Sequence, residues 1–481
     1  MSEVLVGLDV GTSAVKGVAI APDGEVLHIA QAGYPLSTPH PGWAEQDPEQ
    51  WWQASREVLQ RLRKASGTPA AIGLSGQMHG LVALDEHDRV LRPAILWNDQ
   101  RTAAQCEQIE ATIGLQELIE LTGNRALTGF TAPKLLWLRE HEPDVYRRVS
   151  RIALPKDHVR LRLCGEHATD ASDASGTLLL DVAKRGWSER VLAALEIDPA
   201  ILPRVLEGPQ LSGETPDGVP VAAGGGDQAA GALGVGVHAP GPLSVVLGTS
   251  GVVFAALERF ATDAQARAHA FCHVVPGAWH AMGVMLSAAG ALSWFRDTAA
   301  DGVDYDRLLE EAAAWEAGVE GLLFAPYLAG ERTPHADPDA RGAFIGLGLR
   351  HNRGALVRAV LEGVAFGLRD CLDVVSGMGP DPDRARVSGG GTRSRLWLEI
   401  VASVLELPLE RVAVDAGAAF GAALLAGVTA GVYADCAQAV AQAVRSTERI
   451  EPVAEWVEVY REVRPRYAEL YPALRALRGE R

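Results

Sequence analysis

The tripeptide Gly-Thr-Ser occurs twice in this chain, each time after an apolar run near the start of one half of the sequence. The first copy is Gly11-Thr12-Ser13, and the second is Gly248-Thr249-Ser250. Short apolar runs that end in small residues are typical of buried strands followed by a turn. The repeat therefore predicts two similar α/β halves that each present a hydroxyl-bearing turn. Two unrelated hairpins with the same tripeptide by chance are the alternative.

Length and pattern predict how the chain divides. At 481 residues it is too long for one compact core, and 48% hydrophobic residues are ample for burial. The strand-and-helix pattern restarts after Gly236, just before the second Gly-Thr-Ser turn. We therefore expect a first domain over residues 1–238 and a second over residues 239–481.

Charge and cysteine content narrow the classes of partner. A formal net charge of -17 argues against nucleic-acid binding by counterion release, but a nucleotide can still be held by backbone amides and a metal ion. Five widely spaced cysteines show no disulfide framework, which is typical of a reducing compartment. No signal core or long apolar span is evident in the sequence. We expect a cytoplasmic protein with no membrane and no nucleic-acid partner.

The glycine-dense segment 224–231 carries one carboxylate, Asp227. The apolar run 219–223 before it predicts a strand, and the alanine-rich stretch after it predicts a helix. Asp227 then lies at a helix N-terminus, where a carboxylate is favoured and backbone N–H groups face an incoming anion. It is either a catalytic base or an ordinary helix cap.

Transfer of a phosphoryl group needs a cradle for the phosphates, a metal ion and a group that accepts the proton of the attacking hydroxyl. Asp9, two residues before the first Gly-Thr-Ser turn, offers a carboxylate for Mg²⁺ or its waters. The turn that follows offers N–H and hydroxyl groups to phosphate. Asp9 could instead serve only to form the turn. The P-loop motif for phosphate binding, GxxxxGK[ST], is absent.

A second glycine cluster, Gly389-Gly390-Gly391, stands between a predicted strand at 385–388 and a predicted helix that begins at Arg395. Glycines allow backbone to pack against a flat adenosine where a side chain would collide. The cluster is not a dinucleotide fingerprint, because no GxGxxG with a following acidic residue occurs. We interpret it as part of a nucleotide site.

Polar and aromatic side chains follow two further predicted strands, a mixture typical of sugar sites. They are Gln77, Met78 and His79 after one strand, and Trp97, Asn98, Asp99 and Arg101 after the other. Loops at the carboxyl ends of strands are where functional groups concentrate. Individually, His79 could be a buried histidine and Trp97 a core aromatic. Zinc-binding and serine-nucleophile motifs are absent.

These motifs resemble those of the FGGY carbohydrate kinases, and within that family the members that act on D-xylulose. The resemblance runs through nearly the whole chain. It rests on DVGTS at 9–13, HPGWAEQDPEQWW at 40–52, SGQMHG at 75–80, RPAILWNDQR at 92–101, GFTAPKLLW at 129–137, LPKDHVRLRL at 154–163, GGGDQAAGA at 224–232, LGTSGV at 247–252 and YLAGERTPH at 327–335.

The resemblance implies an actin-like ATPase fold in which two ribonuclease-H-like domains enclose a cleft. It implies that ATP and Mg²⁺ serve to convert D-xylulose to D-xylulose 5-phosphate. Asp227 matches the catalytic base and Asp9 the aspartate near metal and phosphates, while Met78 and His79 match sugar positions. Thr12, Thr249 and residues 389–391 match the nucleotide site.

Two alternatives stay open beside this expectation. Another ketopentose or a polyol could be the acceptor, or the chain could be an actin-like or chaperone-type nucleotide-binding protein. A homodimer is also left open. Three residues depart from the family pattern: Gln228 stands where Asn is common, Thr392 follows the glycine cluster where Ala is usual, and Ala355 occupies a usually polar position.

Overall fold

Two seven-stranded sheets, one built by each half of the chain, form the centre of the molecule. The structure, a computed structural model, describes residues 3–414 and 416–479. Shorter two-stranded sheets and helices surround the two large sheets.

The first half contributes fifteen of the described strands and nine of the described α-helices. The strands are β1 (Leu5–Val10), β2 (Ala14–Ile20), β3 (Val26–Gly33), β4 (Glu45–Gln46), β5 (Ala71–Gly76), β6 (Val82–Leu84), β7 (Ala94–Ile95), β8 (Arg151–Ala153), β9 (Ala168–Asp170), β10 (Leu180–Asp181), β11 (Gly186–Trp187), β12 (Arg204–Leu206), β13 (Leu211–Glu214), β14 (Pro220–Ala222) and β15 (Gly225–Gly226). The helices are α1 (Pro48–Ser66), α2 (Ala103–Ile113), α3 (Leu115–Thr122), α4 (Thr131–His141), α5 (Pro143–Tyr146), α6 (Pro155–Cys164), α7 (Ala171–Ser175), α8 (Glu189–Leu195) and α9 (Asp227–Gly234).

The second half is richer in helix. Its strands are β16 (Pro242–Leu247), β17 (Gly251–Leu257), β18 (His269–Cys272), β19 (Trp279–Met285), β20 (Leu323–Ala325), β21 (Ala343–Ile345), β22 (Arg384–Ser388), β23 (Leu409–Val412) and β24 (Ser446–Ile450). Its helices are α10 (Ala289–Ala299), α11 (Tyr305–Ala313), α12 (Arg353–Ser376), α13 (Arg395–Leu405), α14 (Ala418–Thr429), α15 (Cys436–Ala443), α16 (Ala454–Ala468) and α17 (Leu470–Leu477). Single 3₁₀ turns occur at Pro199–Ile201, Val319–Gly321 and Gly390–Arg393.

The two large sheets share one order of strands. In the first the order is β3-β2-β1-β5-β14-β13, and in the second β19-β17-β16-β22-β23-β24, with β18 added outside β19. Along both orders the pairings are antiparallel, antiparallel, parallel, parallel and antiparallel. The two Gly-Thr-Ser turns join equivalent strands, β1 to β2 and β16 to β17. The predicted internal similarity is confirmed.

Local signals set several element boundaries. The Asp47 side chain accepts a hydrogen bond from the Glu49 N–H at 3.0 Å, and Pro48 is the first residue of α1, as the sequence favours. Pro133 does not interrupt its helix. It lies in the first turn of α4, where a helix loses nothing by a missing N–H, so the helix continues through it.

Helix α14 returns from the second half of the sequence to pack on the first sheet. It lies across β1 and β5 and against α9. The approach is so close that a Cβ at Gly73 would lie 1.8 Å from the Ala422 carbonyl oxygen, and one at Gly421 would lie 1.8 Å from that of Ala230. Glycine is therefore required on both sides of this contact.

Further contacts join the halves around β18. The Asn124 side chain donates to the Ala270 carbonyl at 3.1 Å, and its Oδ1 lies 2.7 Å from Nδ1 of His269.

Among the helices within residues 3–414 and 416–479, none combines the length and apolar character needed to cross a bilayer.

Candidate active site

Asp9 and Asp227 are positioned by three neighbouring parallel strands. Asp9 on β1 stands opposite Ser75 on β5, and Ser75 stands opposite Gly225 on β15. Neighbouring strands are about 4.8 Å apart, so two strand spacings, about 10 Å, separate the Asp9 and Gly225 backbones. Asp227 is the first residue of α9 and follows Gly226, which is the N-cap residue. Asp227 is therefore not the cap residue of this helix.

Asp9 has a buried oxygen that the protein does not satisfy. Its Oδ1 atom has no hydrogen-bond partner among the described residues. Burial raises the pKa of Asp9 to about 6, although neighbouring Ser75 and Lys16 act to lower it. A buried carboxylate oxygen without a partner is a donor that a hard cation such as Mg²⁺ accepts, so the residues here fit such an ion.

Asp227 lies partly exposed beside this carboxylate. Burial, and then the negative charge of Asp9, raise the pKa of Asp227 to about 7, while Gln228 opposes the shift. A carboxylate with a pKa near neutrality is both ionised enough to accept a proton and basic enough to hold it. Gln228, the first departure from the family pattern, thus acts directly on the candidate base.

Side chains brace the turn Gly11-Thr12-Ser13 from several directions. The Thr12 hydroxyl donates to Oε1 of Gln77 at 3.2 Å and accepts from Nε1 of Trp97 at 3.0 Å. The Thr12 carbonyl accepts from Nε2 of Gln46 at 2.6 Å, and the Gly11 carbonyl accepts from the Tyr34 hydroxyl at 2.5 Å. These bonds hold the turn rigidly at the carboxyl end of β1.

Gln77 and Met78 occupy interior positions between the two loops. Gln77 is buried, and besides its bond to Thr12 it donates to Gln46 at 3.1 Å. Met78 is also buried and packs on the segment 224–231, since a Cβ at Gly226 would lie 2.9 Å from its Sδ atom. Gln77 therefore supports the phosphate-side turn, and Met78 joins the predicted sugar loop to the segment that carries Asp227.

His79 is held in one tautomer at the surface of this loop. Its Nδ1 atom lies 2.6 Å from the Gly176 carbonyl oxygen, so Nδ1 carries the proton and Nε2 is left as an acceptor. Burial, and then nearby Lys134, lower the pKa of His79 to about 3, which keeps the ring neutral. Lys134 donates to the His79 carbonyl at 2.8 Å and fixes the backbone, which has a φ of 70°.

The second polar loop splits into exposed and interior members. Trp97 is 39% exposed, and the Oδ1 atom of Asn98 is buried without a hydrogen-bond partner among the described residues. Asp99 is fully buried, and its oxygens accept from Arg101 and from the Ala44 N–H at 2.6 Å. The Asp99 carboxylate thus holds its own loop, and its contact with a substrate stays a prediction.

Backbone groups hold the second turn, Gly248-Thr249-Ser250. The Gly248 carbonyl accepts from the Ala289 N–H at 2.7 Å, and the Thr249 carbonyl accepts from the Ala288 N–H at 2.8 Å. Helix α10 begins at this point without a side-chain cap. The Ser250 hydroxyl donates to the Leu286 carbonyl at 3.3 Å.

A cavity of about 420 Å³ opens beside the glycine cluster. A Cβ at Gly389 would lie 2.7 Å from the Leu247 carbonyl oxygen, so this glycine packs on the strand that leads to the second turn. Gly390 and Gly391 line the cavity, whose other residues are Ala289, Leu292, Ser293, Asp304, Tyr305, Asp306, Leu309, Arg393, Ser394 and Trp397. Such a concave site of mixed polarity has room for a small ligand.

Several cavity residues have no counterpart in the sequence predictions. Ser293 and Tyr305 are joined by their hydroxyls at 2.8 Å, and nothing in their local sequence marks them. Arg393 could have been suspected, because it closely follows the glycine cluster. Of the remaining departures, Thr392 donates to the Gly389 carbonyl at 2.7 Å, and Ala355 is fully buried in the first turn of α12.

Family models match both halves of the chain. The N-terminal domain of the FGGY family of carbohydrate kinases matches residues 4–234, and the C-terminal domain of the same family matches residues 243–430.

Individual proteins extend the likeness over the whole chain. A xylulose kinase from Escherichia coli strain K12 is 44% identical over 429 residues, covering 86% of this chain and 88% of the relative. The crystal structure of a xylulose kinase from Rhodospirillum rubrum superposes with a TM-score of 0.93 at 32% identity over 99% of each chain. A gluconate kinase from Lactobacillus acidophilus gives 0.92 at 26% identity over 98% of each.

The predicted fold class is confirmed by these structural neighbours: it is the actin-like ATPase fold with two ribonuclease-H-like domains. The two similar sheets, with their carboxylates and glycine cavity, agree with the two family-model matches. This chain therefore belongs to the FGGY family of carbohydrate kinases, enzymes that use ATP to phosphorylate sugars.

Proposed function

We propose that the protein transfers the γ-phosphoryl group of ATP to D-xylulose and forms D-xylulose 5-phosphate. The observation that carries this proposal is the position of Asp227, a partly exposed carboxylate at the start of α9, beside Asp9 at the same sheet edge. The names of the E. coli and R. rubrum relatives support the choice of sugar.

In this reaction Asp227 accepts the proton of the sugar's terminal hydroxyl as that oxygen attacks the γ-phosphorus in line. The displaced electron pair passes to the oxygen that bridges to the β-phosphate, and ADP leaves. Asp9 is the residue that would hold Mg²⁺, which when bound neutralises charge on the phosphates. The turns at 11–13 and 248–250 hold the polyphosphate, and the glycine cavity holds the adenosine.

Neutral His79 is suited to the sugar rather than to the phosphates. Its Nε2 lone pair accepts a hydrogen bond from a sugar hydroxyl, since Nδ1–H is already donated to Gly176. Met78 supplies an apolar wall beside Asp227, while Trp97 and the free Oδ1 of Asn98 stand on the other loop. We propose that Gln77 and Asp99 act by holding their loops.

The likeness to a gluconate kinase makes a different acceptor the second candidate. The test is release of ADP in a coupled assay with D-xylulose, other ketopentoses, polyols and gluconate, each against a sugar-free blank. The proposal requires D-xylulose to give the highest kcat/KM. A higher value for gluconate or for a polyol would transfer the proposal to that acceptor, and ADP release independent of any sugar would favour a nucleotide-driven conformational role.

The role of Asp227 is tested by Asp227→Asn, which keeps the shape and removes the base. Turnover should fall by about 10² to 10⁴, the usual contribution of general-base catalysis, while ADP still binds. Asp435→Asn is a matched control, because Asp435 also lies at a helix N-terminus, where it caps α15 by accepting from the Gln438 N–H at 2.8 Å. Near wild-type turnover by Asp227→Asn would contradict the assignment.

Three broader proposals accompany the reaction. We propose a functional division at residue 238/239, in which the first part carries the sugar site and the base and the second part carries the adenosine site, although α14 crosses back to the first sheet. The five unpaired thiols suit a reducing compartment, and we propose the cytoplasm. A homodimer, which sedimentation analysis would test, is our working proposal for the assembly.

A further inference from the structure

A fully buried cluster of ionisable side chains lies next to Ser172 in α7. The Lys156 ammonium is 2.5 Å from an oxygen of Asp157, 2.7 Å from one of Asp170 and 3.1 Å from one of Asp173. All four side chains are buried. Removing one member of such a cluster leaves uncompensated charge in the interior, so the geometry of the rest is strongly constrained.

This cluster is linked to the catalytic segment through Ser172. Oδ1 of Asp170 accepts the Ser172 hydroxyl and also the Ser172 N–H at 2.9 Å. With its proton directed to Asp170, the Ser172 oxygen accepts the Gly226 N–H at 3.1 Å. Gly226 is the residue directly before Asp227, so one hydroxyl connects the buried charges to the backbone that aims the candidate base.

The same short helix also contacts the sugar loop. Ser172 lies in α7, and Gly176 directly after that helix accepts the Nδ1–H of His79 at 2.6 Å. A Cβ at Gly176 would lie 2.3 Å from that ring nitrogen. Helix α7 therefore holds the backbone beside Asp227 and the ring of His79 through two separate hydrogen bonds.

We propose that Ser172 is a positioning residue for the transfer step. Fixed by Asp170 within the Lys156 cluster, it orients the Gly226–Asp227 peptide so that the Asp227 carboxylate reaches the sugar hydroxyl. This inference rests on the proposed function, because it assigns Ser172 to the step in which Asp227 is the base. Ser172 itself contacts neither sugar nor nucleotide.

The test compares Ser172→Ala with Ser175→Ala. Ser175 is a matched control on the same helix: it is fully buried, and its hydroxyl likewise accepts one backbone N–H, that of Cys272 at 3.0 Å. Turnover is divided by the number of ADP-binding sites found by calorimetry, so that unfolded protein does not count. Exchange of backbone amides in residues 224–230 is followed by mass spectrometry.

Ser172→Ala should lower kcat per site by about 10²-fold, the effect of a misplaced catalytic group, with the KM for ATP within about twofold of wild type. Its 224–230 amides should exchange faster, whereas Ser175→Ala should keep wild-type kcat per site. Equal kcat per site in the two variants would overturn the proposal. If the unaltered enzyme phosphorylates none of the sugars, the proposed function fails, and the exchange rates alone then decide whether Ser172 holds the segment.

Discussion

The two halves of this molecule build the same order of strands but place different residues beside their Gly-Thr-Ser turns. Asp9 stands two residues before the first Gly-Thr-Ser turn and opposite Ser75, and Val246 stands two residues before the second turn and opposite Ser388. An acidic residue is thus present in one copy of the position and an apolar residue in the other. The shared strand order therefore sets where a side chain stands beside each turn, and the residue at that position sets whether a carboxylate is present there.

The turns also differ in what holds them. Side chains from distant segments brace the first turn, including Gln46, Gln77 and Trp97. Backbone N–H groups at the start of α10 hold the second, and glycines pack beside it. Side chains therefore hold the first turn, while backbone groups hold the second, next to the glycine cavity.

Among these tests, the largest loss of activity is expected from Asp9→Asn. The amide keeps the side-chain shape but removes the charge that would hold a metal ion, so turnover should fall by about 10²-fold or more. The apparent affinity for Mg²⁺ should weaken in the same variant, measured by titrating the metal in the coupled assay. The mirror change, Val246→Asn, should leave the metal titration unchanged. A wild-type Mg²⁺ dependence in Asp9→Asn would contradict the proposal that Asp9 holds the metal ion.

A smaller effect is expected when the hydroxyls of the two turns are exchanged for methyl groups. Thr12→Val loses hydrogen bonds to Gln77 and Trp97, each worth about 1 kcal/mol, so stability should fall by about 1–2 kcal/mol and turnover by about tenfold. Thr249→Val keeps the carbonyl contacts that hold its turn, so its unfolding midpoint should match wild type. Equal losses of stability in thermal melts would show that both turns are braced alike.

The smallest effect concerns stability and pH. Because burial and Asp9 raise the folded-state pKa of Asp227 from 3.8 to about 7, stability from its protonated form is fully present below about pH 4 and is lost as pH rises through 7. Asp227→Asn has no carboxyl group to ionise, so its stability does not fall over this pH range. In metal-free buffer the variant should gain about 1–2 kcal/mol over wild type at pH 8, after allowance for partial exposure, and little at pH 4. A gain that does not depend on pH would contradict the electrostatic origin.

Much of this architecture could be predicted because it follows from local sequence. The two Gly-Thr-Ser turns and the place of Asp227 at a helix start depend on glycines and periodicity within a few residues. The contacts of Asp99 and Gln77 could not be predicted, because they involve partners such as Ala44 and Thr12 that lie more than fifty residues away. The packing of α14 on the first sheet could not be predicted either, because α14 and the strands that it contacts lie far apart in the sequence.

In the proposed division, residues 1–238 bind the sugar, and the adenosine of the nucleotide lies in the glycine cavity of residues 239–481. Calorimetric titration of Gly390→Ala with ADP and, separately, with D-xylulose tests it most directly. A Cβ at Gly390 meets nothing within 4 Å, so the fold tolerates it, but the methyl group occupies cavity space. We predict an ADP affinity weakened about tenfold or more and unchanged sugar affinity, with ADP affinity retained in Asp227→Asn. Equal weakening of ADP and D-xylulose binding in Gly390→Ala would contradict the division.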